Sequence, residues 1–80
     1  MIDKIKEAIK EPLSKLNMVV DSVELTTENK YKFLNIVLDK EGGIDMDTIV
    51  EATNVINPII DTLDIDIDNY ILDVSSKERN

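Results

Sequence analysis

The stretch YKFLNIVLD, residues 31–39, decides the fold, because its residues alternate with the two-residue period of a β-strand. Leu34, Ile36 and Leu38 point to one side. The intervening side chains point to the other side: Phe33, Asn35, Val37 and Asp39. From residue 33 onward, one side is apolar and the other is mixed, so the stretch predicts a sheet that is covered on one face.

The residues before this strand predict a helix and a partner strand. Apolar residues recur every three or four positions over residues 2–16, namely Ile2, Ile5, Ile9, Leu13 and Leu16. Pro12 is expected to kink or break this helix, and Asn17 is a suitable residue to end it. The valine-rich residues 18–26 predict a strand. A polar turn at 27–30 would then join it to residues 31–39 as an antiparallel hairpin.

The residues after the strand predict a loop, a second helix and a third strand. Both glycines of the chain lie in the loop Lys40–Gly43. Asp45 or Asp47 is expected to cap the helix that follows. Its apolar stripe comprises Ile49, Ala52, Ile56, Ile59, Ile60 and Leu63, and Pro58 interrupts its hydrogen bonding. Residues 64–68 connect to a third strand, whose inner face would hold Tyr70, Leu72 and Val74.

The element order predicts an α+β fold: a two-layer α-β-β-α-β sandwich, with a three-stranded sheet and two helices on one face. Eighty residues suffice for one domain. The uncovered face would expose Phe33 and Val37 among polar neighbours. Such a face is a place where a second domain can dock, so these two residues are candidates for an interdomain face.

Charge is distributed unevenly along the chain. The net charge is −8, and residues 41–76 contain nine carboxylates but no lysine or arginine. This segment repels phosphate, so it excludes DNA as a partner and favours a basic protein. The candidate partner-binding residues are Glu41, Asp45, Asp47, Glu51, Asp64, Asp66 and Asp68.

Several classes of function are disfavoured. The chain contains no histidine and no cysteine, which are common general bases and nucleophiles, so we expect no enzyme activity and no cofactor. Asp64, Asp66 and Asp68 have the spacing of an EF-hand calcium loop, but Asn69 and Ser75 replace the required glycine and glutamate, so no metal is expected. No apolar run approaches the roughly 20 residues that span a bilayer, and the absence of a signal peptide favours a cytoplasmic protein without membrane contact.

One alternative concerns RNA. Tyr31 and Phe33 are two residues apart on a predicted strand, beside Lys30 and Lys32, as in a small stacking platform for single-stranded RNA. Surrounding acidic residues oppose phosphate binding. Direct RNA contact is therefore left open at this stage.

The order of these segments resembles a known family. NIVLDKEGGI at residues 35–44, followed by Asp45-Met46-Asp47 at a helix start, resembles the N-terminal domain of the bacterial ribosome maturation factor RimP. NYILDVSS at residues 69–76 is similar to the tyrosine-to-serine strand of that family, and residues 12–24 also fit. The family strand usually ends Ser-Pro-Gly, whereas Ser76 is followed here by Lys77-Glu78-Arg79-Asn80.

The resemblance implies a domain over residues 1–76, with 77–80 as a tail or the start of a linker to a small β-barrel domain. It implies a fold related to the KH type without the RNA clamp. The implied role is non-enzymatic: assistance in maturation of the small (30S) ribosomal subunit and association with a basic ribosomal protein, small-subunit protein number twelve. The alternatives are a structural or oligomerising module that uses the face around Phe33 and Val37, and a single-stranded RNA-binding module.

Overall fold

The computed structural model describes residues 2–63 and 70–77 of the chain. The element order is α-β-β-α-β, as predicted, and the fold is α+β. The elements are α1 (Ile2–Ser14), β1 (Val19–Glu28), β2 (Tyr31–Asp39), α2 (Met46–Thr62) and β3 (Tyr70–Ser76).

The three strands form one sheet in the order β1-β2-β3, with β2 at the centre. β1 runs antiparallel to β2, and β3 runs parallel to it. An antiparallel pair can be closed by a tight turn, whereas a parallel pair needs a long crossover, which α2 supplies. β1 and β2 pair out to Glu28 and Tyr31, so the connecting turn is Asn29-Lys30, shorter than the predicted 27–30. Asn29 has a φ of 58°, which asparagine tolerates.

The core lies between the sheet and the two helices. Leu34, Ile36 and Leu38 of β2 are fully buried, which confirms the predicted inner face. α1 packs against β1 and α2, and α2 also packs against β3. The buried residues of the helices continue the predicted stripes: Ile5, Ile9, Leu13, Ala52, Ile56 and Ile60. No polar or charged residue is buried in the described ranges.

The end of α1 is a Schellman motif. Asn17 has a φ of 63°, the amide of Asn17 donates to the Ser14 carbonyl at 3.0 Å, and the amide of Met18 donates to the Leu13 carbonyl at 3.0 Å. Leu13 and Met18 are both buried, so the hydrophobic contact that accompanies the motif is also available. Asn17 therefore ends the helix as predicted, although α1 itself ends at Ser14 rather than at residue 16.

Neither proline breaks its helix: of the kink or break predicted at Pro12, the break does not occur, because α1 continues to Ser14. Pro12 lies in the last turn of α1, where only the bond to the Ala8 carbonyl is lost. Pro58 lies inside α2 and deprives the Asn54 carbonyl of its donor. Asn54 is exposed, so water can replace that donor and packing of the apolar stripe keeps the helix continuous.

Candidate functional site

The loop between β2 and α2 sets the position of the predicted acidic residues. The amide of Gly43 donates to the Lys40 carbonyl at 2.9 Å, which closes a tight turn. Gly42 and Gly43 have φ values of 88° and 93°, a region that side chains strongly disfavour. The two glycines thus allow the chain to leave β2 and enter α2 within a few residues.

Asp45 is the N-cap of α2. Its carboxylate accepts hydrogen bonds from the Thr48 hydroxyl at 2.7 Å and from the Thr48 amide at 2.9 Å. These two bonds hold the pKa of Asp45 below its usual value, and the bond from the Thr48 hydroxyl has the larger effect. Asp45 is exposed, but its carboxylate already has a structural task, so a mutation here alters the helix as well as the surface charge.

The other described acidic candidates have a simpler environment. Glu41 lies in the loop, and Asp47 and Glu51 lie four residues apart on α2; all three are exposed. We call Glu41, Asp45, Asp47 and Glu51 the α2 acidic surface. Met46 and Val50, which are 77% and 52% exposed, alternate with these acids along the helix. The remaining candidates, Asp64, Asp66 and Asp68, lie outside the described residues.

Phe33 and Val37 lie on the sheet face that the helices do not cover, and both are half-buried. The strand register places further residues on this outer sheet face. From β1 they are Val19, Ser22, Glu24, Thr26 and Glu28. From β2 and β3 they are Tyr31, Phe33, Asn35, Val37, Asp39, Ile71, Asp73 and Ser75. A hydrogen bond from the Asn35 side-chain amide to the Thr26 hydroxyl, at 2.8 Å, crosses this face between β2 and β1.

The exit from β3 is attached to the sheet. The amide of Lys77 donates to the Leu38 carbonyl at 2.7 Å, and its ammonium lies 3.3 Å from the Asp21 carboxylate. Asp21 lies at the irregularity between Val20 and Ser22, where β1 carries one residue more than β2. The sequence placed Lys77 at the start of a tail, and in the structure this residue is held at two points.

The described residues include a surface groove but no arrangement typical of a metal site. No group of three acidic side chains among residues 2–63 and 70–77 is arranged to hold a metal ion. A surface groove between α1 and β1 is lined by side chains of both charges and by a few apolar residues. Neither helix in the described ranges is both long and apolar enough to cross a bilayer.

Comparison with known proteins identifies the family. The family model described as RimP N-terminal domain matches residues 8–77, which covers all five elements from the second half of α1 to the end of β3. The chain belongs to this family. In the structure, β3 spans Tyr70–Ser76, within the segment 69–76 that resembled this family in sequence.

Sequence reasoning did not select the outer-face residues of β1 and β3 as candidate site residues. Ile71 and Asp73 alternate with the inner-face residues Leu72 and Val74, which was a visible signal. Their importance depends on their neighbours: Ile71 pairs with Phe33, and Asp73 pairs with Asn35. No local pattern identifies β2 as the parallel neighbour of β3.

Proposed function

We propose that this domain is a non-enzymatic assembly factor for the small (30S) ribosomal subunit, and that it binds a basic ribosomal protein through the α2 acidic surface. Membership of the RimP N-terminal domain family is the observation that carries the ribosomal role. Small-subunit protein number twelve, which the resemblance implied, is the partner to test.

The charge arrangement supports a basic protein over other partners. Glu41, Asp47 and Glu51 are exposed, and residues 41–63 contain no lysine or arginine; Lys40, which directly precedes this surface, is the nearest cation along the chain. A surface of one charge attracts an oppositely charged protein, raises the association rate and disfavours partners of its own charge. An RNA phosphate would be repelled at the same place.

A double charge reversal, Asp47→Lys with Glu51→Lys, tests the mechanism. The matched control is Glu7→Lys with Glu11→Lys, because these exposed acids also lie four residues apart, on α1, and the change in net charge is identical. Association with the purified basic protein is measured by stopped flow at low and moderate salt. The α2 variant is expected to slow association about tenfold at low salt and to flatten its salt dependence.

The control separates a local surface from the overall charge. If both double variants slow association equally, net charge alone is responsible and the α2 acidic surface is not the binding site. Asp45 is examined separately as Asp45→Asn, because asparagine caps a helix about as well as aspartate while removing the charge.

A further inference from the structure

The outer sheet face carries an apolar stripe along its central strand. Tyr31 is 58% exposed, and Phe33 and Val37 are half-buried on the same side of β2. Ile71 of β3, which is 42% exposed, pairs with Phe33. An aromatic and an aliphatic side chain that lie side by side and remain accessible form the kind of anchor around which protein interfaces are built.

Carboxylates flank this stripe on both sides. Glu28 pairs with Tyr31, and Asn35 lies between Glu24 on β1 and Asp73 on β3. Glu24 and Asp73 are thus two strand spacings apart, roughly 10 Å. None of the residues assigned to the outer sheet face is lysine or arginine. Lys77 lies nearby, but its ammonium is paired with Asp21.

The apolar stripe and the carboxylates beside it together favour one class of binding partner over the others. A second copy of the face would set carboxylates against carboxylates, which costs free energy. Single-stranded RNA could stack on Tyr31 and Phe33, but its phosphates would meet Glu24, Glu28 and Asp73. The neighbouring lysines lie off this face: Lys30 is in the turn, and Lys32 pairs with Thr27 and Tyr70 on the opposite side of the sheet. A cationic protein segment satisfies both the apolar stripe and its acidic borders.

We propose that the outer sheet face binds a cationic protein segment. An apolar side chain of that segment lies against Phe33 and Ile71, and its lysine or arginine side chains lie against Glu24 and Asp73. This site belongs to the sheet and is distinct from the α2 acidic surface in the helix layer. The inference relies on the proposed function only for the choice of a natural partner as a probe.

The test compares Ile71→Thr with Leu25→Thr. Both residues lie on edge strands, and their exposures are similar at 42% and 37%. Leu25 pairs with Leu34 and therefore lies on the opposite face. Affinity for the purified small-subunit protein is measured by titration calorimetry with the 80-residue chain. Ile71→Thr is expected to raise Kd about fivefold or more, and Leu25→Thr less than about twofold.

A second probe makes the test independent of the ribosomal partner. Amide NMR shifts are recorded with a twelve-residue peptide of alternating lysine and leucine, and with its lysine and serine counterpart. The first peptide is expected to shift Tyr31, Phe33 and Ile71 at concentrations where the second does not. The double variant Glu24→Gln with Asp73→Asn is expected to weaken this binding and reduce its salt dependence.

The outcomes separate this inference from the proposed function. Shifts confined to the helices, or equal losses for Ile71→Thr and Leu25→Thr, would overturn the inference and leave the α2 acidic surface in place. A silent titration with the ribosomal protein together with sheet-face shifts from the lysine-leucine peptide would support the inference and refute the proposed partner. Three results would refute the inference. They are a dimer that dissociates in the Ile71→Thr variant, amide shifts on the outer sheet face caused by a short RNA strand, and no amide shifts with either probe.

Discussion

The two faces of the sheet use the same strands but differ in composition and burial. On the inner face, Leu34, Ile36 and Leu38 are fully buried beneath the helices. On the outer face, the alternate residues Phe33 and Val37 are half-buried and share the surface with carboxylates. Burial of the inner face stabilises the fold, whereas part of the apolar area of the outer face remains exposed to solvent. The same division separates Asp45, whose carboxylate caps α2, from Asp47, which is exposed in the first turn of that helix.

The sharpest test of this comparison uses adjacent residues of β2. Ile36→Ala is expected to lower the free energy of unfolding by about 2–5 kcal/mol, because it leaves a cavity in the buried core. Val37→Ala, one residue further on the opposite face, is expected to cost about 1 kcal/mol or less. Urea unfolding of both variants measures the difference. Similar costs for the two variants would mean that the outer face is also part of the core.

The role of Asp45 predicts a dependence on pH. Because its pKa is lowered in the folded state, its ionised form stabilises the fold above the unfolded pKa, and this contribution is lost as pH falls through the folded pKa. The stability difference between the native chain and Asp45→Ala should therefore be largest near neutrality and shrink below about pH 4. Thermal melts across this range provide the measurement. A stability difference that stays constant across this range would contradict a role for the ionised Asp45 carboxylate.

The acidic border of the outer face predicts a conflict between stability and binding. Aspartate is disfavoured in strands, so Asp73→Thr is expected to raise the free energy of unfolding by about 0.5 kcal/mol. The same change should weaken binding of a cationic protein. A variant that is both less stable and equally competent in binding would show that Asp73 serves the fold instead.

The smallest expected effect concerns the attachment of Lys77. Both partners of its ion pair are partly exposed, with side-chain exposures of 51% for Lys77 and 35% for Asp21. A double-mutant cycle with Lys77→Ala and Asp21→Asn is expected to give a coupling of about 0–0.5 kcal/mol. A coupling above about 1 kcal/mol would show that the exit from β3 contributes to the core rather than to the surface.

Much of the fold could be predicted from local patterns. The strict alternation of residues 31–39 determined which side of β2 is buried, since a strand has only two faces. The helical stripes determined which residues of α1 and α2 enter the core. Asn17 was predicted to end α1, because asparagine tolerates a positive φ, and Asp45 was one of two aspartates predicted to cap α2, because its side chain accepts hydrogen bonds from amides of the first turn. The continuity of both helices through their prolines was not predictable, because packing outweighs the lost hydrogen bond.

The features of the candidate site also divide into those that the sequence predicted and those that depend on the tertiary structure. The sequence by itself determined that residues 41–63 would present acids without cations, because charge and helical periodicity are local properties. Only the tertiary structure decided that β3 lies parallel to β2, which brings Ile71 beside Phe33 and places Asn35 between Glu24 and Asp73. Strand order and register are set by long-range packing of the helices against the sheet, and no periodicity within a single strand encodes which strand will be its neighbour.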